Sequence, residues 1–328
     1  MVEGKRILVT GAAGFIGSHL VEELLERGAI VRALVHYNSA SSVGNLAYLR
    51  TAQQWPLDIV AGNIEDSDFV LRAVEGMDIV LHLAALIGIP YSYVAPRSYV
   101  RTNVEGTLNI LEAVRRLGAR RVVHTSTSEV YGTARREPMD ENHPLQGQSP
   151  YAASKIGADK LAESYYRSFG IPVVTLRPFN TFGPRQSARA VIPTIITQAL
   201  ERQEITLGSL DPQRDLTYVG DTVDGFIRAA IRRGIEGETI NLGTGETHSV
   251  GAIAARILSL IGTNKSLRCD PRRMRPAGSE VGKLVSDNRK ARQLLGWQPC
   301  TSLDDGLRQT IAFIHQHRAI YRAGSYAV

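Results

Sequence analysis

A chain of 328 residues exceeds the length, about 250–300 residues, at which one hydrophobic core stops growing, so two lobes are expected. Hydrophobic residues make up 43% and charged residues 21%, which excludes a disordered or fibrous chain and is ordinary for a soluble globular enzyme. The net charge of +6 suits an anionic ligand, but no basic run carries interleaved aromatics, so no nucleic-acid partner is expected. Cysteine occurs only at Cys269 and Cys300, without metal-type spacing, so neither a disulfide scaffold nor a metal site is indicated. No leader pattern opens the chain and no apolar run reaches about 18 residues, so a cytoplasmic protein without a membrane partner is expected.

In chain order, residues 6–10 form a short apolar run, followed directly by Gly11-Ala-Ala-Gly14-Phe-Ile-Gly17. Residues 18–27 then carry apolar side chains at helical spacing, with Gly28 as the stop. A glycine loop between a strand and a helix is the context in which this spacing points to dinucleotide binding. Gly11 permits the tight turn, Gly14 lets the backbone approach a pyrophosphate, and Gly17 lets helix and strand pack closely. The pyrophosphate is expected at the helix N-terminus, where free N–H groups and the dipole favour anions, with Ala13, Phe15 and Ile16 in the same loop. The strand at 30–35 lacks the terminal acidic residue that grips the ribose 2′-hydroxyl of NAD. Val35 stands there, followed by His36, so NADP is allowed and the choice between NAD and NADP stays open.

Strands are expected at 57–61, 79–83 and 121–125, alternating with helices at 69–74 and 107–115. Such alternation predicts an α/β fold with a parallel, doubly wound sheet buried on both faces. Ligands lie beyond the carboxyl ends of the strands in these sheets. Asn63 and Ile64, then Leu83, Ala84 and Ala85, then Thr125 with Thr127, Ser128 and Glu129 stand at or after strand ends, so one crevice collects them. Tyr151 and Lys155 are four apart and share one helix face. An ammonium one turn from a phenol favours the phenolate and is expected to lower the tyrosine pKa towards that of a working base. A Tyr-x-x-x-Lys pair alone is common by chance, so its value depends on what surrounds it.

Gly11-x-x-Gly14-x-x-Gly17, His82-Leu-Ala-Ala85, Asn103-Val-Glu-Gly-Thr107 and Tyr151-x-x-x-Lys155 together resemble the extended short-chain dehydrogenase/reductases, the NAD-dependent epimerase/dehydratase family. Arg177-Pro-Phe-Asn180, Gly183-Pro184 and Arg214-Asp-Leu-Thr-Tyr-Val219 carry the match over nearly the whole chain. The resemblance implies a Rossmann-type sheet with a smaller C-terminal α/β lobe that closes over a nucleotide-diphospho-sugar. It also implies a tightly bound, recycled NAD or NADP, with Asn103, Thr125, Tyr151, Lys155 and Pro178 among its contacts. The strand at 240–245 is expected to return to the sheet edge, so the lobes interleave. Residues 1–177 plus 218–246 would form the dinucleotide lobe, and 178–217 plus 247–328 the sugar-nucleotide lobe.

Thr127-Ser128-Glu129 is similar to the triplet of sugar-nucleotide 4,6-dehydratases, in the form found in GDP-mannose 4,6-dehydratases. Epimerases acting at C4 usually lack the glutamate, whereas UDP-glucuronate decarboxylases also carry a Ser-Glu pair. Loops at 84–96, 146–151 and 180–189 resemble the N-acetylhexosamine dehydratases of legionaminic-acid pathways, which implies a UDP- or GDP-linked N-acetylglucosamine. The implied route has Tyr151 take the 4-hydroxyl proton, Thr127 hydrogen-bond the same oxygen, and Glu129 remove the C5 proton before water leaves from C6. Ser128 stands where other dehydratases use an aspartic acid, so either Glu129 also protonates the departing hydroxide through one water, or Ser128 only orients that water.

On the substrate side the resemblance assigns Asn180 to the diphosphate or sugar, and Val191 and Ile192 to a helix opening against the base. Arg214 and Arg275 would clamp the diphosphate as planar bidentate donors, with Arg185 and Arg189 facing the phosphates or the N-acetyl group. Residues 287–297 read as a C-terminal helix and turn, and the tail at 319–328 is expected to fray. Helices at 104–117 and 151–169 pair across a four-helix bundle in these families, which implies a homodimer. A 4,6-dehydratase is the leading expectation, with a 4-epimerase or a UDP-glucuronate decarboxylase on the same scaffold as alternatives.

Overall fold

The computed structural model describes residues 1–49 and 57–321. Seven strands form one fully parallel sheet: β1 (Arg6–Thr10), β2 (Ile30–His36), β3 (Leu57–Gly62), β4 (Ile79–His82), β5 (Arg121–Thr125), β6 (Val173–Pro178) and β7 (Thr239–Leu242). Their order across the sheet is β7-β6-β5-β4-β1-β2-β3. The chain reverses direction between β1 and β4, and that reversal opens a crevice at the carboxyl ends.

Eight main helices follow in chain order: α1 (Phe15–Glu26), α2 (Ser67–Val74), α3 (Gly106–Leu117), α4 (Pro150–Phe169), α5 (Val191–Glu201), α6 (Val219–Ile231), α7 (Val250–Ile261) and α8 (Leu303–Gln316). Alternate strand residues serve opposite faces of the sheet. Ile7 and Val9 bury against α1 and α6, whereas Leu8 buries against α2, α3 and α4. A sheet covered on both sides reads as the near-continuous apolar runs seen in the sequence. A second core gathers Ile192, Ile195 and Ile196 of α5, Ile253 and Ile257 of α7, and Leu307 and Ile314 of α8.

Two boundaries differ from expectation in ways that matter. The helix expected from 104 is preceded by a wide π-helical turn, Val100–Glu105, before α3 begins. Such turns displace side chains from regular helical positions, and this one carries the buried Asn103. At the other end, Tyr321 is buried and its hydroxyl donates to Gln186 O at 2.9 Å, so the chain is tied down to 321 rather than frayed from 319. The rest of the expected frayed tail, 322–328, lies outside the described residues. Among the described residues no helix is long and apolar enough to cross a membrane.

Candidate active site

The glycine loop sits at the crevice. Gly11 has φ +68°, and a Cβ there would lie 2.8 Å from Ala84 N; a Cβ on Gly17 would lie 2.3 Å from Gly11 O. Only glycine satisfies both the left-handed backbone and the close approach. Gly14 is the N-cap of α1 and no side chain caps that end, so the N–H groups of Phe15, Ile16 and Gly17 find no protein acceptor among the described residues. An uncapped helix end behind a glycine cradle fits a pyrophosphate. Ala13, half-buried, accepts Asn45 N at 3.0 Å on the far side of the loop. His36 stands exposed at the end of β2. Asn63 is exposed and its Oδ1 accepts Glu65 N at 3.0 Å, while Ile64 is buried under α3. The side chains of these two are therefore used by their own turn and by the core.

The loop after β4 is held by a directed hydrogen-bond chain. Thr10 Oγ1 accepts Leu83 N (3.1 Å) and Ala84 N (3.0 Å), so its own proton goes to His82 Nδ1 at 2.9 Å. His82 Nε2 then donates to Thr107 Oγ1 at 3.0 Å, and Thr107 donates to Asn103 O at 2.7 Å. Burial holds the His82 pKa well below the usual imidazole value, which suits this neutral tautomer. Asn103 Oδ1 accepts Leu86 N (2.8 Å), and its Nδ2 donates to Leu86 O (3.0 Å) and Ser154 Oγ (2.9 Å). Leu83, Ala84 and Ala85 are thereby fixed, half-buried, along the crevice wall.

Ser149 caps α4, accepting Ala152 N at 3.1 Å, and Pro150 occupies the first helical position. This start places Tyr151 in the first turn. Tyr151, Lys155 and Asp159 follow one another on the buried face, exposed by 7%, 3% and 5%. The Tyr99 ring meets Tyr151 edge-on at 6.2 Å between centroids. Opposite, β5 ends at Thr125, whose Oγ1 is buried without a partner, and Thr127 caps a 3-10 turn, Ser128–Tyr131. Ser128 is buried, whereas Glu129 is half-buried and its charge acts on both Tyr151 and Arg214.

Burial reverses the expected tyrosine shift. It pushes the Tyr151 phenol up, Glu129 adds to the rise, and the Thr127 hydroxyl pulls the other way. Lys155 is brought down to about 8 by burial, with Asp159 opposing. The sequence expectation counted the ammonium one turn away but not the loss of water around the phenol.

Arg214 lies in a two-residue strand, Gln213–Arg214, between His248–Ser249 and Lys283–Leu284. It is buried, donating to Gln213 O (3.0 Å) and Glu280 Oε1 (3.0 Å). Arg275 Nη1 is 3.6 Å from the same Glu280 oxygen and makes no hydrogen bond. The two arginines thus converge on one carboxylate. Asn180 Oδ1 is buried without a donor, and Pro178 closes β6 beside Leu242. Arg189 is exposed, with its charge felt by Tyr99.

Two substrate expectations change. Ile192 is 1% exposed within the second core, so its side chain packs there, and only the half-buried Val191 stands at the surface end of α5. Arg185 is buried, pairing with Glu22 of α1 at 2.8 Å and donating to Tyr48 O at 2.9 Å, with φ +65°. It ties its loop to the first lobe rather than facing phosphates. What the sequence did not reveal is the group beneath the pair: Asp159, with Ser126, His124 and Arg177 around it. The repeated spacing Tyr151, Lys155, Asp159 on one helix face was the available signal.

A family model described as GDP-mannose 4,6 dehydratase matches residues 8–310. The UDP-glucose 4-epimerase of Mycolicibacterium smegmatis is 35% identical, over 94% of this chain and 98% of its own. The dTDP-glucose 4,6-dehydratase of Streptomyces griseus is also 35% identical, over 95% of both chains. Among solved structures, a double mutant of DesIV, a dTDP-glucose 4,6-dehydratase from Streptomyces venezuelae with NAD and DAU bound, has a TM-score of 0.87 at 31% identity, covering 96% of this chain and 98% of its own. Fold and cleft are those of the epimerase and dehydratase class, enzymes that modify sugar nucleotides. Within that class, the chain belongs to the GDP-mannose 4,6-dehydratase family.

Proposed function

We propose that the protein is a nucleotide-diphosphohexose 4,6-dehydratase acting on UDP- or GDP-N-acetylglucosamine, with NAD or NADP held by the β1–α1 loop. The observation that carries this reading is Glu129, a half-buried carboxylate whose charge reaches both Tyr151 and Arg214. A 4-epimerase leaves that group without a proton to move. When bound, the oxidised nicotinamide supplies the hydride chemistry and a positive charge. Tyr151 accepts the proton of the sugar 4-hydroxyl, and Thr127 holds that oxygen. Once C4 is a ketone the C5 proton is acidic; Glu129 removes it, water leaves from C6, and the double bond is then closed by return of the C4 hydride to C6 and of a solvent-exchanged proton to C5. Serine is a poor general acid for the departing C6 hydroxyl, so in this reading Glu129 delivers that proton through one water that Ser128 orients.

Arg214 and Arg275 exchange Glu280 for the substrate diphosphate, a better bidentate partner. The unpartnered Asn180 Oδ1 is an acceptor, so its partner in this reading is a sugar hydroxyl and not the diphosphate. The division of the chain into 1–177 plus 218–246 and 178–217 plus 247–328 belongs to the same reading. So does a homodimer through α3 and α4, whose ends expose Leu117 and Phe169.

The test is mass spectrometry after incubation in D2O with UDP- and GDP-N-acetylglucosamine, without added cofactor. Loss of one water with one deuterium gained at C5 is expected, from one nucleotide in preference to the other. An epimer of unchanged mass would replace the dehydratase by a 4-epimerase, and carbon dioxide from UDP-glucuronate would replace it by a decarboxylase.

A further inference from the structure

Lys155 is 3% exposed, and no hydrogen bond or ion pair joins its ammonium to any described residue. An ammonium on a side chain this enclosed is costly to keep charged unless an anion lies near. The titratable groups that face it are Tyr151 and Asp159 on its own helix, His82 from β4 and His124 from β5, with Arg177 of β6 behind Asp159. Burial disfavours the charged forms of the two imidazoles and of the phenol. Asp159 is the one anion in the group.

Its carboxylate is pinned from two strands. His124 Nε2 donates to Oδ1 at 3.1 Å; Ser126 Oγ donates to Oδ2 at 2.8 Å; Arg177 Nε and Nη2 donate to Oδ2 at 3.2 and 3.0 Å. These bonds leave no freedom for the carboxylate to turn and capture the ammonium one helical turn away. We propose that Asp159 is a positioning residue, an anion locked in place so that its field keeps Lys155 charged while leaving every Lys155 donor free for a ligand. A direct salt bridge would also have kept the charge but would have consumed those donors. Arg177 and His124 are then the clamp that sets the distance. The inference rests on Tyr151 and Lys155 being the reacting pair, and its test is made without substrate so that the two can fail separately.

The measurement is competitive reductive methylation of the full chain with formaldehyde and cyanoborohydride from pH 6 to 10, with Lys155 followed by peptide mass spectrometry. The wild-type midpoint is expected near 8. In Asp159→Asn it should fall by about one pH unit, so that Lys155 reacts about fivefold faster at pH 7. Asp159→Glu keeps the charge and should restore the midpoint. An unmoved midpoint in a folded Asp159→Asn protein overturns the proposal. Because that change strands the Arg177 charge, Asp159→Asn/Arg177→Met removes both and takes its place if the single variant does not fold; a lowered midpoint there supports the proposal and an unmoved one overturns it. In turnover, the alkaline limb of the kcat profile should move down with the midpoint; an even loss at every pH, with the limb unmoved, also overturns it. A moved midpoint in a protein inactive on every sugar nucleotide would sink the proposed reaction and leave the role of Asp159 standing.

Discussion

Gly17→Ala is the sharpest test of the glycine cradle, because its cost follows from one distance. The added Cβ would lie 2.3 Å from Gly11 O and 2.9 Å from Gly11 C. Both are backbone atoms, so no rotamer change relieves the overlap, and α1 must move off β1. Overpacking of this kind costs about 3 kcal/mol. Replacing glycine by alanine inside a helix returns about 1 kcal/mol, so the overlap wins by about 2 kcal/mol. At about 2.1 cal/mol/K per residue, unfolding 328 residues carries about 0.7 kcal/mol/K, and Tm should drop by about 3 °C. Displacing α1 also misplaces the free N–H groups of Phe15, Ile16 and Gly17, so dinucleotide affinity should fall by about tenfold, equivalent to about 1.4 kcal/mol. Calorimetry measures both quantities. Gly278→Ala is the control, since its Cβ would meet nothing within 4 Å. A Gly17→Ala protein with wild-type Tm and wild-type dinucleotide affinity would refute the steric argument.

Glu129→Gln removes the proposed C5 base while leaving the fold alone; in D2O it should gain no deuterium at C5 and lose about 10²–10⁴ in water elimination, and full turnover would remove Glu129 from the mechanism. Tyr151→Phe should lower kcat by about 10²–10⁴ with KM within about twofold; an unchanged kcat by product mass spectrometry would reassign the base. Glu112 of α3 is held down at about 2 by Arg115 (2.8 Å) and the Tyr165 hydroxyl (2.5 Å). A carboxylate depressed in the folded state stabilises above its unfolded value of about 4.3, and that contribution is lost as pH falls through the folded value. The Tm gap between wild type and Glu112→Gln should therefore be full at pH 6 and close towards pH 2. A gap independent of pH would contradict this.

The sheet and the first glycine loop were legible because their signals are local: apolar runs bounded by glycine, with period-2 or period-3.6 spacing. Thr127, Glu129, Tyr151 and Lys155 were likewise visible as residue types at informative spacing, and the structure brings them to one crevice. What escaped depends on neighbours distant in sequence. Burial of Tyr151 arises from Leu86, Ile89 and Tyr99 packing around it, so the sign of its shift could not be read from Lys155 alone. Ile192 looked like the start of a ligand-facing helix, yet a 3.6-residue period does not say which core it enters, and α7 and α8 claim it. Arg185 resembled a phosphate ligand until Glu22, far upstream, supplied its partner. The clamp on Asp159 joins α4 to two strands on either side of it in the chain.

The late arrival of β7 has a consequence for synthesis. β6 is buried along its whole length and pairs with β7 through Thr175, Leu176, Arg177 and Pro178, yet residues 179–238 must be made between them. A nascent chain that has reached residue 178 therefore carries a strand paired with β5 on one side and with nothing on its outer edge, and α6, which covers that face, has not been made either. Unpaired apolar edges invite pairing with other chains. The sheet cannot close until residue 242 has left the ribosome, by which point α5 of the second core has emerged while α7 and α8 still lie further along the chain. Cutting the gene after residue 177 would yield not a smaller dinucleotide-binding protein but an aggregate.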